Sequence, residues 1–492
     1  MLFNSLAYAK FFATVFVVSW LLARWPRARF GFLTLASYAF YCGVDVFAPL
    51  SGEPLTAPYL KFAPIVFIGS TVDYFLGRWL AGIDDPKKRK AALVITIVMN
   101  VGLLVVFKYW NWLVHDIGLG LRAVGVPFPD VSLRLELPLG ISFFTFMSLS
   151  YVIDVYRKKL EPSTNYIHYL TYIAFFPHLV AGPIVRGRDL LPLFEKAPKL
   201  TSRTAGEALF LFGSGIGKKV IIGDFLALNV VDRVHAEPTS CSSLEVLAAM
   251  YAYSVQVYCD FSGYSDVAIG SALLLGYRFK MNFDAPFKAP NLVEFWRRWH
   301  ISLSSWLRDY VYIPLGGSQK GLFRKYVNVW ITMVVCGVWH GAAWTYVLFG
   351  LAQGFGVAFT HAFRDATGRS KRPELDERPA WHPARMLGTI ATFTFISMTF
   401  VLFRAESMDK AMLMFRQLLQ GTVFHPNLHR SVVLVLVGGV VVQWFPRRLY
   451  ERMRDGFIAA PAPAQAAVLF ALALALREAA VTEAVPFVYF QF

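Results

Sequence analysis

Two histidines stand in stretches that could do chemistry. His340 lies in "CGVWHGAAW" (336–344), inside a run with no Lys, Arg, Asp or Glu between Lys325 and Arg364. On a straight helix it would sit roughly 22 Å from Lys325 at 1.5 Å per residue, well inside a bilayer. An ionisable group at that depth is costly and points to function by default. An apolar setting favours the neutral imidazole, the form that can take the proton of an attacking hydroxyl as a general base. The plainer alternative is a neutral histidine hydrogen-bonded between helices. Gly337, Gly341, Ala342 and Ala343 allow close backbone approach or make room for a substrate. His300, in "EFWRRWHISLSSWLRDYVYIPLGGS" (294–318), is the natural partner, and His178, beside Pro177 in an interrupted apolar run, is a further candidate. His168, His361, His425 and His429 fall near span ends, where solvated histidines are ordinary.

Other chemistries find little support. Cys336 and His340 share i,i+4 spacing, but two ligands do not make a metal site. The four cysteines are scattered without close pairs, so neither a disulfide framework nor a zinc knuckle is expected. No nucleophile elbow or Walker-type phosphate loop occurs. "GSGIGKKV", from Gly213, reads as packing glycines before a cytoplasmic basic edge.

The elements that must position these residues are set by composition. The chain is 56% hydrophobic and only 16% charged, against about 25% charged in soluble proteins. Apolar runs of roughly 18–22 residues recur, each long enough for a helical crossing, and they lack the alternation of barrel strands. An all-α polytopic membrane protein is expected, one domain over residues 1–492 with about ten to twelve membrane segments. The net charge of +16 is gathered in short loops between apolar runs, as the positive-inside rule expects, and does not suggest nucleic acid. Arg24–Arg29, Lys87–Lys90 and Arg157–Lys159 mark cytoplasmic loops, with the amino terminus outside. The first run, "FFATVFVVSWLLA", has only Lys10 before it and is followed by Arg24, Arg27 and Arg29 rather than a cleavage site, and reads as a retained span.

The run "YIHYLTYIAFFPHLVAGPIVRGR" breaks this alternation, because basic residues follow it where an outer loop is due. Pro177, Gly182 and Pro183 interrupt it. A broken or re-entrant segment is predicted, and such backbone is tolerated in a membrane only inside protein or beside a water-filled cavity. "QVYCDFSGYSDVAIG" (256–270) places Asp260 and Asp266 between apolar runs. Asn291 and Glu294 have capping-box spacing. From there, Trp296, Trp299, His300, Leu303, Leu307 and Tyr310 form one stripe, with Arg297, Arg298 and Arg308 on other faces. A single amphipathic helix at headgroup level is expected over this stretch.

The pair "EFWRRWHISLSSWLRDYVYIPLGGS" and "GVWHGAAWTYVLFG" (337–350) closely resembles the signature of bacterial membrane-bound O-acyltransferases. "PLGISFFTFMSLSYVIDVYR" (138–157), "FFPHLVAGPIVR" (175–186), 256–270 and the closing "PFVYFQF" (486–492) resemble the alginate O-acetyltransferase membrane-component branch. The resemblance implies a ring of helices around a central funnel, with His340 catalytic and His300 at the second active-site position. It further implies an acyl thioester donor, acetyl-coenzyme A or another, used as substrate with no tightly bound cofactor and no metal. The donor would be cytoplasmic and the acceptor an extracytoplasmic polysaccharide, reached directly or through a periplasmic or membrane-anchored acetyltransferase or esterase partner. The location implied is the bacterial inner membrane, in contact with lipid. On this reading Trp296, Trp299 and Trp339 help line an acyl passage, and Arg297, Arg298 and Arg308 contact donor phosphates or anchor lipid headgroups. D-alanyl transfer to teichoic acid from a carrier protein, and a proton-coupled transporter, are the alternatives.

Overall fold

The computed structural model describes residues 3–45, 47–48, 54–129, 131–180, 182–368, 379, 381–479 and 487. Every regular element among them is helical, and the chain forms two compact units.

Residues 1–208 and 268–279 make the first unit. It holds α1 (Leu6–Leu21), α2 (Pro26–Cys42), α3 (Ala63–Ala81), α4 (Pro86–Leu104), α5 (Trp110–Ala123), α6 (Ile141–Tyr156), α7 (Tyr166–Ala174), α8 (Phe176–Leu179) and α9 (Gly187–Phe194). A π turn (Val105–Tyr109) joins α4 to α5 as one 38-residue apolar rod. The helix starts follow local chemistry. Ser5 Oγ accepts the Tyr8 amide at 3.2 Å, Asp85 Oδ1 accepts that of Lys87 at 2.7 Å, and Pro26 and Pro86 open α2 and α4. Arg24 and Arg27 are exposed, but Arg29 is 1% exposed and does not belong to the basic loop expected there. Its guanidinium donates to the Tyr277 hydroxyl (2.6 Å) and the Leu275 carbonyl (2.7 Å), satisfying acceptors left over just past a helix end.

The interrupted run breaks as expected, into α7, α8 and α9. Its backbone is covered by side chains of its own unit: Phe176 meets Phe11, Phe12 and Phe40, and a Cβ on Gly140 would lie 2.7 Å from the Leu179 carbonyl. His178 is fully buried among Tyr172, Phe175 and Phe279.

Residues 209–267 and 280–492 make the second unit. Two helices cross the boundary between the units: α10 (Ser202–Gly217), which continues through a π turn over Lys218–Asp224, and α12 (Ser243–Leu274). Between them lies α11 (Asp232–Ala236). There follow α13 (Leu292–Arg298), α14 (Ile301–Leu307), α15 (Leu322–His340), α16 (Trp344–Ala366), α17 (Pro383–Arg404), α18 (Met408–Leu418), α19 (Arg430–Trp444), α20 (Arg447–Ala459) and α21 (Ala462–Ala479).

Among the described residues four helices are long and apolar enough to cross a membrane: Leu60–Ala81, Pro86–Ala123, Trp344–Ala366 and Pro383–Arg404. Counting α19 and α20, bent by 92°, as one span makes five. The first apolar run yields the 16-residue α1, shorter than a full crossing. Other apolar runs become short, bent or broken helices, because proline, glycine and π turns divide them. Of the closing heptapeptide only Phe487 lies within the described residues; it is buried against Phe261 and Tyr264.

Candidate active site

The long charge-free run is a hairpin rather than one helix. α15 ends at His340, the chain extends through Gly341 (φ −163°) and Ala343 (φ −153°), and α16 returns from Trp344. His340 is therefore at a helix terminus, on the same helix as Lys325. Glycines set the spacing of the two arms. A Cβ on Gly350 would stand 2.7 Å from the Met333 carbonyl, one on Gly354 2.9 Å from the Trp330 ring, and one on Gly337 would collide with the Tyr346 carbonyl. Small residues at such positions let helix backbones approach closely. Gly341 has a second duty: any side chain there would enter the Tyr346 ring. At the far end the arms are latched by Lys325 Nζ to Asp365 Oδ2 (2.7 Å) and by the Tyr326 hydroxyl donating to the same oxygen (2.9 Å).

The His340 ring is 6% exposed and packs against Trp339 (4.8 Å between centroids), Phe403 (4.9 Å) and Phe349 (6.2 Å). Aromatic walls on several sides fix the imidazole plane and keep bulk water away.

His300 does not lie on the face of a continuous amphipathic helix. The stretch is two helices, α13 and α14, and His300 is the joint, with φ 42° and ψ 56°. That left-handed conformation is uncommon outside glycine and costs about 1–3 kcal/mol unless its surroundings impose it. The surroundings do so. Asn291 Oδ1 caps α13 by accepting the Glu294 amide (2.9 Å), the capping predicted from spacing. Arg298 clamps Glu294 Oε1 through two nitrogens (3.0 and 2.9 Å) and reaches the Asp284 carbonyl and carboxylate (3.1 and 3.2 Å). Beyond the joint, Asn282 accepts the Ile301 amide with its carbonyl (2.9 Å) and the Ser302 amide and hydroxyl with its side chain (3.1 and 2.9 Å).

The His300 ring is fully buried, edge-on to Phe261 (4.6 Å) and near Phe283 (6.5 Å) and Trp339 (6.2 Å). Neither ring nitrogen has a hydrogen-bond partner among the described residues. Burial pushes its pKa down and holds the ring neutral. Trp339 touches both histidines and couples their positions.

The remaining candidates divide. Trp296 and Trp299 are buried, not at a headgroup interface. Trp296 Nε1 donates to Gln353 Oε1 (3.1 Å), and Gln353 Nε2 donates to the Thr399 hydroxyl (2.7 Å), tying α13 to α16 and α17. Trp299 stacks on Phe295 (5.5 Å) and meets Phe283 and Phe400. Arg298 is committed to the clamp just described. Arg297 and Arg308 are exposed, and Arg308 pairs with Asp309 (2.8 Å). Burial, and then the nearby Arg364 and Arg308 cations, lower the Arg297 pKa, so three arginines from separate elements gather in one region. Sequence reading singled out the first two but not Arg364, whose proximity needs the hairpin.

It also missed a buried charge network. Lys219 is 3% exposed and bonds Asp260 (2.5 Å) and Asp224 (2.7 Å), while Lys218 bonds Asp266 (2.6 Å). The lysines are not a solvated edge: Gly215 and Gly263 pass so closely that a Cβ on either would lie within 2.6 Å of the other's carbonyl, drawing the pairs together. The signal was present as two aspartates in one apolar run and two lysines in another. Asp260 precedes Phe261, so the network anchors one wall of the His300 cage.

Both histidines fall within residues 135–403, the stretch that matches the membrane-bound O-acyltransferase family. The chain is 36% identical over 446 residues to the protein named "Probable alginate O-acetylase AlgI" of Pseudomonas aeruginosa, covering 90% of this chain and 79% of that one. It is 33% identical to the peptidoglycan O-acetyltransferase of Helicobacter pylori, over 72% of this chain and 69% of that one. To the teichoic acid D-alanyltransferase of Bacillus subtilis it is 29% identical, over 54% and 69% respectively. The hairpin that carries His340 and the joint that carries His300 are thus part of an established enzyme scaffold, and the chain belongs to the membrane-bound O-acyltransferase family, a multi-pass membrane protein whose reaction is O-acyl transfer.

Proposed function

We propose that this enzyme moves an acetyl group from a cytoplasmic thioester, acetyl-coenzyme A, to a hydroxyl of an extracytoplasmic polysaccharide from a seat in the bacterial inner membrane. The placement of His340 carries the reading: a single buried imidazole at the turn of a hairpin whose opposite end gathers cations. The acetyl group and glycan acceptor are favoured over D-alanine because likeness to acetyl-transferring relatives extends over most of the chain, whereas likeness to the D-alanyltransferase covers about half.

In the proposed reaction the acceptor hydroxyl oxygen attacks the thioester carbonyl carbon while His340 takes its proton. The C–O bond forms, the C–S bond breaks, and the leaving thiolate recovers the proton from the imidazolium. The thioester is already activated, so the protein's work is to align the reactants, exclude water and manage one proton. Phe403, Phe349 and Trp339 confine the imidazole. His300 acts as a positioning residue, holding Trp339 and with it the His340 ring. Arg297, Arg308 and Arg364 receive the donor's phosphates, where charge-assisted bonds are strongest.

The test uses purified enzyme in liposomes with radiolabelled acetyl-coenzyme A and an added glycan. Wild-type protein should move label to the glycan, and folded His340→Ala should not. Equal transfer by both would remove His340 from the chemistry, and uptake of an intact solute without covalent transfer would favour a transporter.

A further inference from the structure

A second polar feature lies in the second unit and includes Arg404, the residue after the Phe403 that packs on His340. A cavity of about 150 Å³ is lined by Asp232, His235 and Ala236 of α11, Arg404 and Glu406 at the end of α17, and Lys410 of α18. Its polar groups are arranged rather than scattered. Arg404 Nη2 bonds Asp232 Oδ1 (3.1 Å), and Lys410 Nζ donates to the Ala236 carbonyl (2.5 Å). His235 is 8% exposed and its Nδ1 lies 2.9 Å from the Val231 carbonyl. A carbonyl can only accept, so Nδ1 carries the proton and Nε2 presents a lone pair. That nitrogen has no hydrogen-bond partner among the described residues.

The lining therefore offers donors (Arg404, Lys410) and acceptors (Asp232, Glu406) around one small volume. An acyl chain would call for apolar walls, and a phosphate would call for cations not already balanced by carboxylates. Vicinal hydroxyls both donate and accept, so a sugar ring fits this mixture.

Position supports the same occupant. Arg404 directly follows Phe403, whose ring touches His340 at 4.9 Å and Tyr346 at 5.3 Å. The 22-residue α17 separates Arg404 from Pro383 by about 33 Å at 1.5 Å per residue. Arg385 lies at the opposite end of that helix, and the basic sequence around it puts that end on the cytoplasmic side in the proposed topology. In that topology the cavity is at the end of α17 away from the donor, and its Arg404 directly follows the residue that packs on the proposed base.

We propose that this cavity is the acceptor subsite, holding one sugar ring of the glycan so that a neighbouring hydroxyl reaches His340. The proposal rests on the glycan reading above, and the experiment separates the two. Binding of a fluorescent uronate hexasaccharide and of a neutral glucan hexasaccharide is measured on full-length protein in nanodiscs, carrying His340→Ala so that turnover cannot interfere. At least one probe should bind. Lys410→Met and Ala236→Phe, which fills the cavity without removing a polar side chain, should each weaken that probe by about tenfold or more, a loss of about 1.4 kcal/mol. Melting midpoints near that of the parent show that the fold is kept. No binding of either probe, or unchanged binding in both variants, overturns the subsite. Label transfer from acetyl-coenzyme A to the same hexasaccharides is followed with His340 restored. Binding without transfer sinks the acetyl-transfer reading and keeps the subsite; transfer with an unchanged acceptor KM in both variants does the reverse.

Discussion

The two ends of the α15–α16 hairpin differ in kind. At one end His340 is enclosed by Trp339, Phe349 and Phe403, and a glycine is required where Tyr346 presses on the turn. At the other, Lys325 and Asp365 latch the arms, and Arg364 joins the exposed Arg297 and Arg308. Water and countercharge are scarce at the first end and plentiful at the second. A base must be held in one geometry and shielded, whereas a polyanionic donor must be captured from solvent and released. The contrast implies that changes at the closed end act on kcat, and changes at the charged end act on KM and its salt dependence.

His340→Ala is the severest way to break this comparison. It should lower kcat by about 10²–10⁴-fold, the usual worth of a positioned base, with little change in donor KM; steady-state kinetics in liposomes reads both. A mainly KM effect would move His340 from chemistry to binding. Gly341→Ala comes next. Its new Cβ must displace the Tyr346 ring, and a shift of about 1 Å near the base costs about 10²-fold. Kinetics should show that loss in kcat alone, with helical content by circular dichroism unchanged. Wild-type kcat would show that the turn has slack.

Much of this was legible in the sequence, for identifiable reasons. Absence of charge around His340, small residues beside it and the Asn291–Glu294 cap are local patterns, and local patterns survive folding. What failed was continuity. A helical wheel through 292–310 assumes one axis, but the Arg298 clamp and Asn282, residues whose partners are distant in sequence or on the preceding turn, bend the chain at His300 and bury the tryptophan stripe. The Lys325–His340 segment is one helix, as expected; what local patterns do not show is that the run turns back directly after His340. Lys219 was misread because a lysine beside a glycine-rich run looks solvated until the crossing of Gly215 and Gly263 brings Asp260 to it.

At the charged end, Arg297→Ala should raise the donor KM by about tenfold at low ionic strength and by less at high salt, because exposed charges are screened. Initial rates across a salt series check this, and a salt-independent KM would point away from phosphate capture. Arg298→Ala sharpens the contrast between neighbours. It removes the cation clamping the fully buried Glu294, so the melting midpoint should fall; a pure KM effect would return Arg298 to the donor site.

The smallest expected effect concerns His300 and pH. Its ring faces Phe261 and Phe283 from their elements and Trp339 from α15, none of which titrates in the histidine range. Burial holds its pKa below the ordinary value of 6.5 in the folded protein, so the unfolded chain takes up a proton that the native state refuses. Stability from this group is complete above that value and declines as pH falls below it. His300→Asn keeps a residue that tolerates the left-handed backbone but cannot titrate. Its melting midpoint should therefore fall less than wild type's between pH 7.5 and pH 5.5. Parallel slopes for the two proteins would mean that the cage admits the proton, and His300 would then be free to exchange it during turnover instead of serving only to hold Trp339 against the base.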